Sequence, residues 1–190
     1  MQVLPSELKK GTVILLENTP HVVEEMYVTG TAQTRHKLHT KLRNLKTGRF
    51  VERVFTDNDR VQTVEVDYRM VQYSYKQGDN YVFLDTETYD EVTLTADQIG
   101  ERRFFLIENQ EYRAIFLEGK LLDIVLPPSM VLEVVDTAPA IKGGSDSTWK
   151  PAKLETGLEI MVPLFIEKGE KVRIDTETKK YLGKESPKGK

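Results

Sequence analysis

Thr29–Lys41, TGTAQTRHKLHTK, is the stretch on which the reading of the fold turns. Gly30, Thr31, Ala32, Gln33 and Thr34 are small or polar, which suits an exposed connection and not a core. The residues before it, His21–Val28 (HVVEEMYV), have strand character. Those after it, Lys37–Asn44 (KLHTKLRN), alternate, with Leu38 and Leu42 on one side and charges on the other. The stretch is therefore predicted to be the tip of a long β-hairpin. It is also the expected working end of the molecule, which the rest of the chain carries into place.

Outward from the hairpin, strand and turn signals recur at short intervals. Gly11–Glu17 is predicted as a strand, followed by a turn at Asn18-Thr19-Pro20. Lys46-Thr47-Gly48 is a second turn, leading into Arg49–Phe55, where Phe50, Arg53 and Phe55 do not alternate cleanly and a bulge or two-sided burial is expected. Val71–Lys76 and Tyr81–Asp85 form a hairpin about Gln77–Asn80, with Val71, Tyr73 and Tyr75 expected on one face. Thr95 is an N-cap for one helical turn before Gly100. Tyr112–Leu117 and Leu121–Leu126 make another hairpin, and Pro127-Pro128 marks a boundary. Val131–Val135, Leu158–Val162, Lys171–Asp175 and Lys180–Leu182 are further strands, and Glu185–Lys190 is expected to be disordered. Asp85-Thr86-Glu87-Thr88 is echoed at Asp175-Thr176-Glu177-Thr178, each after a strand. Convergent turn chemistry or two copies of one small barrel would both explain the echo. The expected fold is all-β: three small β-barrel domains at 1–63, 64–128 and 129–190.

Composition narrows the function. The 190 residues contain no cysteine, which excludes disulfides, zinc fingers and thiol catalysis. No apolar run approaches the about 20 residues of a membrane span, and Met1–Gly11 lacks an apolar signal core, so a cytoplasmic protein with no membrane partner is expected. The net charge is −3, but it is unevenly spread. Residues 1–63 hold 10 Lys+Arg against 7 Asp+Glu, whereas residues 64–128 hold 6 against 13. Arg35, Lys37, Lys41, Arg43, Lys46, Arg49 and Arg53 are opposed within their stretch only by Glu52, which makes either a phosphate-facing stripe or a solvated strand face.

Catalytic constellations are not found. His36 and His39 are three apart in a predicted strand and so point to opposite faces, unable to share a metal there without a bulge. No nucleophile elbow, phosphate-cradling glycine loop or metal-spaced cluster is present, and no cofactor is expected. Ala138–Lys150 (APAIKGGSDSTWK) must be a long loop. Within it Gly143, Gly144, Ser145, Asp146, Ser147 and Thr148 offer donors and acceptors for RNA, or form a flexible linker. Trp149 could stack on a base, although capping the barrel below is the favoured reading.

Lys150–Gly169, KPAKLETGLEIMVPLFIEKG, carries something more specific. Lys150, Ala152, Gly157, Ile160, Val162, Pro163, Ile166 and Gly169 match the C-terminal signature of the bacterial elongation factor P family. Val134–Pro139, Ile141–Gly143, Arg173–Thr176 with Tyr181-Leu182, and Lys41–Gly48 followed by Val51, Glu52 and Phe55 extend the resemblance over the whole chain. The resemblance implies a KOW-like N-terminal barrel followed by two OB-folds in an L-shaped, tRNA-like arrangement. It implies a monomeric, non-enzymatic factor that binds both ribosomal subunits beside peptidyl-tRNA and promotes peptide-bond formation at polyproline stalls. By that likeness Gln33, Thr34 and Arg35 face the peptidyl-tRNA end, Lys37, Lys41 and Arg43 contact tRNA or ribosomal RNA phosphates, and Lys142–Trp149 lies near the exit-site codon and its mRNA. Family members usually carry a modified lysine or arginine at the tip. Aligned without gaps, Gln33 occupies that place, or Arg35, the nearest cation, does so if the loop is shaped differently. Altered tips of this kind belong to the elongation-factor-P-like branch, which Val71–Asp85 with Thr95–Ile99 resembles. The alternative function is a general single-stranded RNA-binding OB-fold protein, against which the lack of an aromatic stripe in the basic region argues.

Overall fold

The structure, a computed structural model, describes residues 1–141 and 148–185. The described residues are mostly β and form three sheets, and the chain divides into two compact units. One comprises Met1–Gly100 with Glu111–Ile124; the other comprises Glu101–Gln110 with Val125–Lys190.

The first sheet contains β1 (Gln2–Val3), β2 (Val13–Leu16), β3 (Thr19–Thr29), β4 (Lys37–Asn44), β5 (Phe50–Thr56) and β6 (Val61–Thr63). Their spatial order is β1-β6-β2-β3-β4-β5. Leu38 and Leu42 turn inward, as their alternation predicts, and form a core with Leu8, Ile14, Val23 and Val61. Each such side chain stabilises the fold by about 1.5–3 kcal/mol on burial.

Neither the bulge nor the two-sided burial expected in β5 is present: its register is unbroken, and Phe50, Glu52 and Val54 are exposed on one face. β5 pairs with β4 in unbroken register from Lys37↔Thr56 to Arg43↔Phe50. Phe50 and Phe55 fall on opposite faces of a regular strand. Phe55 packs against the core, and Phe50 stays exposed beneath the Lys41 ammonium, 4.7 Å from its ring centroid. The irregularity lies in β3, where Val23 faces Leu42 and Glu25 faces Lys41, so Glu24 is the extra residue.

The second sheet contains β7 (Asp67–Gln77), β8 (Asn80–Asp85), β9 (Glu91–Thr95), β10 (Glu111–Leu117) and β11 (Lys120–Val125), in the order β11-β10-β7-β8-β9. After β9 comes the short helix α1 (Ala96–Ile99), capped as predicted: the Gln98 N–H donates to Thr95 Oγ1 at 3.2 Å, and the Thr95 N–H donates to Gln98 Oε1 at 2.9 Å. Val71 and Tyr73 are buried, but Tyr75 is not on their face. A register shift between Tyr73 and Tyr75 turns it outward.

The third sheet contains β12 (Ser129–Thr137), β13 (Trp149–Leu154), β14 (Glu159–Pro163), β15 (Lys171–Asp175) and β16 (Tyr181–Lys184), in the order β14-β13-β12-β15-β16. It shares the layout of the second sheet. In both, the first strand is central, the next two extend to one side and the last two to the other. In both, the central strand is bulged against the strand that follows it. The segments 142–147 and 186–190, which include most of the predicted RNA-facing loop and of the predicted disordered tail, lie outside the described residues.

The Asp-Thr-Glu-Thr echo resolves into local chemistry. Asp85 Oδ1 accepts from the N–H groups of Glu87 and Thr88 at 2.8 and 3.2 Å, and Asp175 Oδ1 accepts from Glu177 and Thr178, both at 2.8 Å. The backbone closes identically, with Tyr89 N–H donating to Asp85 O and Lys179 N–H to Asp175 O, each at 2.8 Å. The first turn joins the second and third strands of its sheet, whereas the second joins the fourth and fifth strands of its own. The two turns are therefore not equivalent positions of a repeat. Asn44 builds the same turn between β4 and β5, its Oδ1 accepting from Lys46 and Thr47 at 2.8 and 3.1 Å. Asx side chains favour such turns wherever a strand must reverse.

Candidate nucleic-acid interface

The β3–β4 hairpin ends in a turn that closes on itself. Thr34 N–H donates to Thr31 O at 3.2 Å, which makes Thr31–Thr34 a β-turn with Ala32 and Gln33 at its corners. Thr31 N–H donates to Thr34 Oγ1 at 2.8 Å, and the two hydroxyls lie 3.1 Å apart. Gln33 N–H donates to Thr31 Oγ1 at 3.3 Å. Thr34, one of the predicted contacts, thus shapes the tip from within, while the Gln33 and Arg35 side chains are exposed at its end. Gly30 has φ +133°, and a Cβ there would lie 3.0 Å from Arg35 O, so the chain narrows where no side chain fits easily.

Below the tip, the outward face of β4 carries Lys37, His39 and Lys41, alternating with inward Leu38, Thr40 and Leu42. His39 is opposite Tyr27 in register. Their rings stack with centroids 4.5 Å apart and planes 1° from parallel, and Thr29 Oγ1 is 2.9 Å from His39 Nε2. His36 lies in the connection before β4 and not on the strand. Tyr27 was not among the predicted site residues. Its signal was nonetheless present: Tyr27 and His39 are equidistant from Gln33, so a turn centred there places them opposite one another.

Arg43 does not belong to the phosphate-facing set. It is buried, with Nε 2.6 Å from Glu24 Oε1 and Nη2 2.6 Å from Asp123 Oδ2. Burial opposes its charge, but the two carboxylates outweigh that and hold the guanidinium above its ordinary pKa. The Glu24 bulge aims one carboxylate at it, and β11 of the second sheet supplies the other. The same region is fastened at the Asn44 turn. Gln98 Nε2 donates to Leu45 O at 3.0 Å, and a Cβ on Gly48 would lie 1.9 Å from Asp97 O. Lys46, Thr47, Gly48 and Arg49 face Thr95 and Asp97 across a shallow cleft. Arg53 lies 3.4 Å from Glu17, leaving Arg35 and Lys37 as the cations nearest the tip, with no ion pair among the described residues.

Of the predicted loop Lys142–Trp149, Thr148 and Trp149 are described. Trp149 opens β13 opposite Pro163 and meets Tyr181 edge to face, with centroids 6.0 Å apart. Next to it Lys150 is buried, and its ammonium donates to Ala138 O at 2.5 Å and Ile166 O at 2.6 Å. Among the described residues, no group of three or more His, Asp or Glu could hold a metal ion.

Comparison with known proteins accounts for all three sheets. Residues 5–61 match the elongation factor P KOW-like domain, residues 66–124 the elongation factor P OB domain, and residues 130–184 the elongation factor P C-terminal domain. Elongation factor P of Synechococcus sp. (strain JA-3-3Ab) is 40% identical over 181 residues, covering 95% of this chain and 98% of that protein. Elongation factor P of Synechococcus elongatus is 42% identical over 185 residues, with the same coverage. A solved structure of eukaryotic translation initiation factor 5A from Methanococcus jannaschii is similar over 66% of this chain and 94% of that one, at 20% identity and a TM-score of 0.48. The three family-model matches and the elongation factor P relatives define an all-β translation factor built of KOW-like and OB domains. The chain belongs to the elongation factor P family, in which its relatives are translation elongation factors.

Proposed function

We propose that this chain is a cytoplasmic elongation factor that binds the ribosome beside peptidyl-tRNA and promotes peptide-bond formation at polyproline-type stalls. Its working parts are the modules 1–63, 64–128 and 129–190, with the Gln33 tip facing the peptidyl-tRNA end. The observation that carries this reading is the tip itself: a turn held by its own threonines, presenting Gln33 and two cations, Arg35 and Lys37, at the far end of an exposed hairpin. Such a tip can hold another molecule in place and supplies no acid, base or nucleophile cluster.

Proline is a poor partner in peptide-bond formation because its ring restricts the backbone and its amine is constrained. Holding the reacting ends in a productive pose converts lost freedom into rate, and about 1.4 kcal/mol is already tenfold. In this reading Gln33 and Arg35 contact the acceptor end, Lys37 is the stronger RNA-phosphate contact and Lys41, set between Glu25 and Glu52, the weaker one, and the loop 142–149 serves the exit-site codon.

The test is a reconstituted translation reaction on an mRNA encoding consecutive prolines. The wild-type chain should relieve the stall, and Arg35→Ala should relieve it less. No relief by the wild-type chain, with salt-sensitive binding to free oligonucleotides, would favour the general RNA-binding alternative.

A further inference from the structure

We infer that the Tyr27 ring is a stacking platform for one unpaired RNA base, recruited to the flank of the hairpin below its tip. The inference rests on the proposed ribosomal function and assigns an RNA contact to a residue outside the tip.

Three observations converge on Tyr27. First, its ring is already half of a parallel stack with His39, and the Thr29 hydroxyl fixes the histidine ring behind it. A ring supported in this way offers a flat face at little conformational cost. Second, the other face is open. β2 pairs with β3 only over Thr19–Val22, so beyond Val23 the β3 strand is a sheet edge with β4 on one side alone. Tyr27 is 62% exposed there. A base placed on that face extends a histidine–tyrosine stack by one ring at the usual aromatic spacing.

Third, the charge fits a nucleotide and not an apolar peptide. Glu25 and Glu52 lie opposite Lys41 in register, so two carboxylates face one ammonium at that end and the cationic pull of this face lies toward the tip. On the tip side, Lys37 lies opposite Thr29, two residues along β4 from His39, and Arg35 is exposed beside it. A base on Tyr27 therefore has cations within a nucleotide's reach in one direction along the hairpin, which gives the bound strand a polarity.

The test uses ribosomes carrying peptidyl-tRNA and four full-length chains: wild type, Tyr27→Phe, Tyr27→Leu and Tyr27→Ala. Tyr27→Ala should bind about 5- to 150-fold more weakly, the usual loss for one stacked base. Tyr27→Phe should bind within about twofold of wild type, because a phenyl ring keeps the face. Ultraviolet cross-linking of the wild-type complex should leave a nucleotide adduct on the peptide containing Tyr27. All four proteins should stay folded, with Tyr27→Leu and Tyr27→Ala melting only slightly lower for loss of the His39 stack, since the side chain lies at an open edge. Full affinity for Tyr27→Leu would mean an apolar protein contact and would overturn the inference. So would equal affinity for Tyr27→Ala with no adduct, while ribosome binding itself survived. Absence of wild-type binding would remove the ribosomal reading and this inference together.

Discussion

Arg43 and Asp123 are 80 positions apart in the chain and 2.6 Å apart in the fold. Removing one partner of a buried pair leaves the other charge uncompensated, which costs about 3–5 kcal/mol. Arg43→Met should therefore destabilise the first compact unit by that amount, measured as a fall in the urea midpoint. The double variant Arg43→Met with Asp123→Leu should recover part of the loss, because an apolar pair of similar volume carries no desolvation penalty. A double variant no more stable than the single one would show that the pair does not act as a unit.

Gly48 faces a second test of the same junction. Its φ of +77° alone makes alanine unfavourable by about 1–2 kcal/mol. A methyl group would also collide with the Asp97 carbonyl, and overpacking of this kind adds about 1–3 kcal/mol. Gly78 and Gly119 also have positive φ, but nothing lies within 4 Å of their added Cβ. Gly48→Ala should lower the melting temperature clearly more than Gly78→Ala or Gly119→Ala. Equal shifts would mean that the α1 contact yields without cost.

The Asx turns give a pH dependence. Burial pushes the Asp85 carboxyl upward, but the N–H groups of Glu87 and Thr88 and the Arg69 guanidinium outweigh it and hold the group below its ordinary value. A depressed carboxyl contributes stability above the ordinary aspartate pKa and loses it as pH falls through the folded value. Asp85→Asn keeps an oxygen for the turn, as Asn44 does in the first sheet, but removes the titrating charge. Urea midpoints measured from pH 7 down to pH 3 should fall less steeply for Asp85→Asn than for wild type. Asp85→Ala should cost about 2 kcal/mol even at pH 7, because the turn's N–H groups lose their acceptor.

These residues also show what a sequence can carry. The long hairpin, the capped turn at Thr95 and the Asx turns were legible because their determinants are local: alternation, capping chemistry and short polar side chains. Strand β13 was only partly legible. Its inward positions are Lys150, Ala152 and Leu154, and a buried lysine makes an alternating strand look polar. β1 and β6 were missed because two and three residues give no measurable period. Arg43 reads as one more surface cation because its partner Asp123 comes from another sheet, and no local pattern reveals a contact so distant in the chain. Alternation in Arg49–Phe55 is disturbed by the exposed Phe50 and points to an irregularity there, whereas the register shift lies in β3 at Glu24, where the sequence carries no such signal. In the candidate site, Gln33 and Arg35 were legible as tip residues. The inward use of Thr34 was not, since it depends on the closure of the turn.

Lys150 should prove a structural lysine. Its ammonium bonds the carbonyls of Ala138 and Ile166, and hydrogen bonds to a charged group contribute about 1.5–3 kcal/mol each. Lys150→Met retains most of the buried stem but leaves both carbonyls without that donor. It should destabilise the second compact unit by about 2–4 kcal/mol, read by protease susceptibility or hydrogen exchange across β13 and β14. Amide protection unchanged in those strands would show that the carbonyls find other donors.

The tip allows activity to be separated from stability. Thr34→Ala removes the acceptor for the Thr31 N–H and one of the two hydroxyls that close the turn. All of these groups are exposed, so water replaces the lost partner and the melting temperature should move little. What changes is the population of the closed tip. A turn that is closed only part of the time presents Gln33 correctly only part of the time, and apparent affinity falls by that fraction. Thr34→Ala should therefore lower stall relief several-fold at limiting factor concentration, and the defect should shrink as the factor is raised. Thr34→Ser keeps the hydroxyl and should behave as wild type. Equal activity for Thr34→Ala and Thr34→Ser would mean that the preformed turn is not what the hairpin contributes.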